Sequence, residues 1–197
     1  MATERNVIMA ANSDELEKLY PRLRRVVTGH DETGKSTVML DGFPQFHGDL
    51  AAGGWGVQDI WESDVVPTPI PGMEPDPTAG PVNFLLPTTG FRIRITDIPP
   101  TAPGAEPFRH RTDSVDVLHV LEGEISMEFD DPDHKVVLKK GDTIVQRATN
   151  HAWVNHTDRH CRLYIVMIAG RITKDLEQII GPMPVWDPTH NPDPTKD

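Results

Sequence analysis

The chain has 197 residues and a formal net charge of −11, with 19 Lys and Arg against 30 Asp and Glu. That leaves room for one well-filled domain with extensions, and it lacks the basic footprint that nucleic acid or an anionic membrane demands of a partner. No apolar run approaches the roughly 20 residues that span a bilayer, and the N-terminal MATERNVIMAANSDELEK lacks the basic start and long apolar stretch of a secretion signal, so a soluble cytoplasmic protein is expected. Cys161 is the only cysteine, which excludes an internal disulfide framework and a CxxC motif and leaves a core or surface thiol.

In chain order, SDELEKLY (13–20) predicts a short helix capped by Asn12 or Ser13 and ended by Pro21. Next, GHDETGKS (Gly29 to Ser36) fits the G-x-x-x-x-G-K-[ST] pattern of a nucleotide phosphate loop. Such a loop must open a helix, whereas the following STVMLDG alternates and is rich in β-branched residues, so it reads as a strand. Asp31 and Glu32 would also set two carboxylates against a polyanion. The stretch therefore predicts a β-hairpin turn on Gly34, with Lys35 solvated and no nucleotide cofactor.

A further strand is expected from Val57 to Ser63. The segment from Pro67 to Pro107 holds more than half of the 19 prolines, so most of it should be loop or sheet edge. Within it, GFRIRITDI (Gly90 to Ile98) alternates Phe91, Ile93 and Ile95 against Arg92, Arg94 and Thr96, which predicts a half-buried strand with the apolar set facing the core. From Phe108 to Ala169 short hydrophobic runs follow one another at regular intervals: VDVLHVLEGE, ISMEFDD, HKVVLKKGD, TIVQRAT, HAWVN and CRLYIVMIA. Strands so spaced predict a sandwich or barrel. After Gly170, TKDLEQII predicts a helix, and the proline-rich end with Trp186 is expected to pack on the body or on a neighbouring subunit.

Two stretches in this region carry a resemblance. Gly104 is followed after five residues by His110, Arg111 and Thr112, then after three by Asp116 and after six by Gly123. Gly141 is followed after four residues by Gln146, Arg147 and Ala148, then after two by His151, and by Asn155. These resemble the two signature motifs of the cupin superfamily. Thr112 stands where the first motif has its second histidine, and Asp116 stands where it has glutamate. The second motif is one residue short and lacks its proline and its later glycine, whose place Ala148 takes. The resemblance implies an all-β, cupin-type jelly-roll barrel over residues 23–170, with the motifs in 104–169. Residues 1–22 would form an N-terminal helical arm and 171–197 a C-terminal helix and tail.

The resemblance also implies a site. The positions that hold one divalent metal in cupins are here His110, Asp116 and His151, a set of two imidazoles and a carboxylate that suits iron and could also take manganese, nickel or zinc. Asp is one methylene shorter than Glu, about 1.5 Å, so Asp116 can instead stand behind the ligands. The same three residues could serve without metal as an acid–base set. Alternation places Asp116, Leu118 and Val120 on one face and His119 on the other, and it turns Trp153 and Asn155 inward with Gln146 beside His151. Trp153, Asn155, Thr112 and Gln146 are therefore the substrate-binding candidates. His134, His156, His160 and His190 are expected in solvent. The expected activity is a small-molecule enzyme acting on an organic acid or polyketide-like substrate by decarboxylation, dehydration or isomerisation. An iron-dependent dioxygenase and a non-catalytic ligand-binding module are the alternatives, and a homodimer is the expectation for assembly.

Overall fold

The computed structural model describes residues 17–49, 54–80, 82 and 89–182. Its strands are β1 (Arg25–His30), β2 (Ser36–Gly42), β3 (Phe46–Asp49), β4 (Trp55–Ser63), β5 (Phe91–Ile98), β6 (Arg109–His110), β7 (Ser114–Glu122), β8 (Glu124–Phe129), β9 (Lys135–Lys139), β10 (Thr143–Arg147), β11 (His151–Val154) and β12 (Cys161–Ala169). A six-stranded sheet in the order β10-β7-β12-β5-β4-β3 faces a four-stranded sheet in the order β6-β11-β8-β9. Every pairing is antiparallel, and the result is an all-β jelly roll. All six short runs after Phe108 became strands, while the brief β3 and β6 were not foreseen. Of the N-terminal helix, Glu17 to Leu19 are helical; the rest of that segment and Trp186 lie outside the described residues. The C-terminal helix forms at Lys174–Ile180.

β1 and β2 pair as the hairpin that replaces a phosphate loop. Asp31 explains why. Its Oδ1 accepts from the Thr33 and Lys35 backbone N–H groups at 2.8 and 3.0 Å, occupying donors that a phosphate would need, and Gly34 takes φ 80° to close the turn.

The two inner faces meet in one apolar cluster. Ile98, Leu118, Val120, Cys161, Leu163 and Ile165 of the larger sheet pack on Ile125, Met127, Leu138 and Trp153 of the smaller. Register places the arginines of β5 within that interior. Thr96 pairs with Leu163, Arg94 with Ile165 and Arg92 with Met167, and directly opposed residues share a face. The alternation of β5 holds, but its orientation is the reverse of the one expected: Arg92 and Arg94 turn inward, and Ile95, fully buried, turns to the outer face. Burial on both faces follows from the strand's central place between β12 and β4, because the N-terminal segment covers the outer side. There Leu23 N–H donates to Gln58 Oε1 at 3.1 Å, and Tyr20 packs by Phe46.

The inward charges are neutralised across strands. Arg94 donates to both oxygens of Asp59 at 2.6 and 3.0 Å, and Arg92 Nε donates to Glu62 at 2.7 Å. On the outer face Arg162 makes a second two-pronged pair with Asp97, at 2.7 and 2.8 Å. Removing one member of a buried pair strands the other, which costs about 3–5 kcal/mol. Asp59→Ala should therefore lower stability to urea by that order. Asp41→Ala, which breaks the exposed pair with Arg24, should leave the unfolding midpoint unchanged.

Candidate functional site

β6 is only two residues long, but its pairing sets His110 directly opposite His151 on β11. Alternation from Trp153, a core residue, turns both imidazoles into the barrel. Their ring centroids are 4.4 Å apart. Phe108 stacks on His110 at 5.2 Å and Trp153 meets His151 edge-on at 5.5 Å, so four rings run from the half-exposed Phe108 to the buried indole. Trp153 is thus a core wall that braces the histidine.

His151 Nδ1 lies 3.0 Å from the Thr149 carbonyl oxygen. A carbonyl only accepts, so the proton sits on Nδ1 and Nε2 carries the lone pair. Gln146, buried as expected, donates through Nε2 to the same carbonyl at 3.2 Å and stands 3.4 Å from His151 Nδ1. Its Oε1 accepts from the N–H of Ala148. Ala148 has φ 50°, a left-handed conformation at the position where the resembling motif has glycine. Its N–H, bonded to Gln146 and to the Ser114 carbonyl, helps to hold the turn that leads into β11.

Asp116 shares the inner face with Leu118 and Val120, opposite Gln146 in the register. Its carboxyl is hydrogen-bonded by Ser114, whose hydroxyl is 2.8 Å from that of Thr112, so Thr112 acts at one remove from the carboxylate. Among the described residues, none is a hydrogen-bond partner of Asp116 Oδ1 or His110 Nδ1, both of which are buried. Burial among apolar side chains pushes Asp116 up to about 6, against the opposing bond from Ser114. Burial likewise drives His110 down to about 4, with His151 adding to the effect and the Phe108 carbonyl opposing it. His151 is lowered by burial too, so both imidazoles are neutral at pH 7.

The expected metal set does not assemble. His110 and His151 stand together, but among the described residues no three His, Cys, Asp or Glu side chains are close enough to hold an ion, and Asp116 does not join the pair as a third ligand. The donors present therefore do not fit a facial triad.

Asn155 is a second correction. Its Nδ2 donates to the carbonyls of Ile98 and Arg159 and its Oδ1 accepts from Thr157, so its amide locks a turn and does not face a substrate. His160 is a third: partly buried, it packs against Tyr20, with Nε2 4.0 Å from both Asp97 and Glu122. His119 is off the site, bonded to Thr143 as alternation predicts. Cys161 is a core thiol, pushed up to about 12 by burial. Sequence reading missed Phe108 and Ser114, each two residues before a named site residue and so carried to the same side; that period of two was the available signal.

Comparison with known proteins is consistent with this geometry. A family model described as a cupin domain matches residues 94–167. Phomopsin biosynthesis cluster protein D of Diaporthe leptostromiformis is 34% identical over 174 residues, covering 80% of this chain and 86% of that protein. Oryzines biosynthesis cluster protein J of Aspergillus oryzae is 31% identical, covering 71% and 78%. A cupin-domain-containing oxidoreductase of Aspergillus ruber is 31% identical, covering 69% and 66%.

Burial of Asp116 has a thermodynamic signature. In the folded chain its carboxyl holds a proton up to about pH 6, against 3.8 for the ordinary carboxyl. Between those values the folded state binds the extra proton, so this group's contribution to stability falls as pH rises through the window and stays low above it. His110, pulled from 6.5 to about 4, acts in the opposite sense, because there the unfolded state binds the extra proton. Asp116→Asn removes only the first effect. It should stabilise the protein relative to wild type by roughly 2–3 kcal/mol at pH 7.5 and far less at pH 4. Urea unfolding of both proteins at the two pH values measures this, and equal differences would show that the carboxyl is not held in its neutral form.

Proposed function

The chain belongs to the cupin superfamily, and from that premise we propose that it is a small-molecule biosynthetic enzyme moving a proton on an organic acid or polyketide-like substrate inside its barrel. The observation that carries this reading is the pair of neutral imidazoles facing the interior from the smaller sheet, their ring centroids 4.4 Å apart, with a buried and incompletely bonded carboxyl on the inner face of the larger sheet. The relatives named for biosynthesis clusters support small-molecule chemistry of this kind.

Isomerisation and loss of water both begin when a C–H bond next to a carbonyl breaks to give an enolate, and decarboxylation reaches the same enolate by losing CO2; a proton is then delivered to carbon or, in dehydration, to the departing hydroxyl. His151 suits the first half. With Nδ1–H held by the Thr149 carbonyl, Nε2 takes the proton as a C–H bond breaks, and the electron pair moves onto the carbonyl oxygen. Asp116 suits the second half, because burial pushes its carboxyl up to about 6, so that a protonated fraction remains near neutral pH to return a proton. Leu118, Met127 and Trp153 keep water out, which strengthens each of these contacts.

Two relatives are named oxidoreductases, which supports redox chemistry as a second reading, with an iron-dependent dioxygenase as its specific form. That reading needs a third ligand beside the two histidines.

Exchange of the α-protons of 2-tetralone, a two-ring ketone, in deuterated water separates these readings. We expect the metal-depleted protein to catalyse the exchange, and His151→Ala and His110→Ala each to lose about 100-fold or more with unchanged thermal unfolding. Wild-type rates in both variants would remove the site. About one equivalent of iron by plasma mass spectrometry, lost in His151→Ala and required for activity, would establish the dioxygenase instead. Binding without exchange would leave a ligand-binding module.

A further inference from the structure

β10 is the terminal strand of the six-stranded sheet, so one of its edges is unpaired. A cleft of about 390 Å³ opens between it and β8, lined by Met127, Phe129, Ile144, Gln146 and Thr149, and by Leu176 of the C-terminal helix. Gln146 and Thr149 are also the two groups in contact with His151 Nδ1. The cleft therefore ends against the two groups that hold the protonated Nδ1 side of the His151 ring.

The helix that brings Leu176 to this cleft is not held there by burial. None of its seven residues is buried, and Ile179 is 81% exposed. Isolated helices below about 12–15 residues are marginal in water, so attachment must come from elsewhere. Thr173 caps its start, accepting from Leu176 N–H, and the Gly181 N–H closes its end on the Glu177 carbonyl. No basic residue stands in the last turn. Arg111 supplies that charge from the barrel, donating to the carbonyls of Ile180, Gly181 and Pro182 at 3.4, 3.1 and 2.7 Å. Arg111 directly follows His110 in the chain. The residue after His110 thus ties the C-terminal helix beside this cleft.

We propose that this cleft is the substrate entrance, that Leu176 is its specificity-determining side chain, and that Arg111 is the positioning residue that keeps the helix in place. The volume suits a molecule of one or two rings. Met127, Phe129, Ile144 and Leu176 take an apolar, flat or chain-like body. The inference rests on the reading of His151 as the reactive base.

The test is equilibrium binding of 2-naphthol, followed by its fluorescence, and of the longer 4-cyclohexylphenol, followed by calorimetry, to the full chain. Leu176→Trp fills the cleft and should weaken 2-naphthol about tenfold or more. Leu176→Ala should shift preference toward the longer probe. Arg111→Gln should weaken both probes and reduce hydrogen-exchange protection of the Glu177 and Gly181 amides, with the barrel's unfolding midpoint unchanged, and Arg111→Lys should restore part of each effect. A wild-type protein that binds neither probe at millimolar concentration, or a Leu176→Trp protein with unchanged affinity for both, overturns the entrance. Blocked binding in Leu176→Trp beside undiminished 2-tetralone exchange in His151→Ala would uphold the entrance and reject the base.

Discussion

A charge taken out of water must find a partner inside the protein, and that demand organises this barrel. The inner face of the larger sheet carries two ion pairs beside its apolar core residues. Arg94 and Asp59 meet across β5 and β4 in a two-pronged pair, and Arg92 meets Glu62 one row further along. On the opposite face Arg162 and Asp97 repeat the arrangement across β12 and β5. Such pairs also pin register, because a one-residue slip would send each carboxylate to the wrong face and leave its arginine uncompensated.

The same demand makes the candidate site stand out. Asp116 is as enclosed as the paired arginines and His110 is partly buried, yet each keeps a buried polar atom that no described residue partners. Burial is what shifts both of them, holding the imidazole neutral and pushing the carboxyl up to about 6. Groups of that kind destabilise a fold, and they persist where function uses them. The surrounding structure supports them closely: the Thr149 carbonyl selects the His151 tautomer, Gln146 bonds the same carbonyl, and Ser114 and Thr112 form a hydroxyl chain behind Asp116.

Much of this was legible in the chain. The turn at Asp31 to Lys35 contradicted its own phosphate-loop pattern, since a β-branched run follows where a helix is required. Regular strand spacing after Phe108 implied a closed β architecture, and alternation placed Asp116 and Gln146 inside and His119 outside. Errors arose where one residue type serves two ends. Asn155 was placed in the cavity by alternation, but it lies just past the end of β11, where its amide satisfies the turn to Arg159. His160 was assigned to solvent because it flanks a turn, yet the N-terminal arm folds back and sets Tyr20 against it.

The limits of legibility follow from distance along the chain. Propensity, alternation and turn chemistry are local, so they were enough for the longer strands and the hairpin, but not for the brief β3 and β6. The orientation of β5 was not local, because Arg94 faces inward only where Asp59, 35 residues earlier, comes alongside it. Whether His110, Asp116 and His151 gather around one ion was likewise beyond spacing, since it depends on how two sheets sit across the barrel. The folded chain brings the two histidines together and leaves the carboxylate apart. It also carries Arg111 to carbonyls about 70 residues away, a contact to which no periodicity in the sequence points, because it depends on tertiary packing alone.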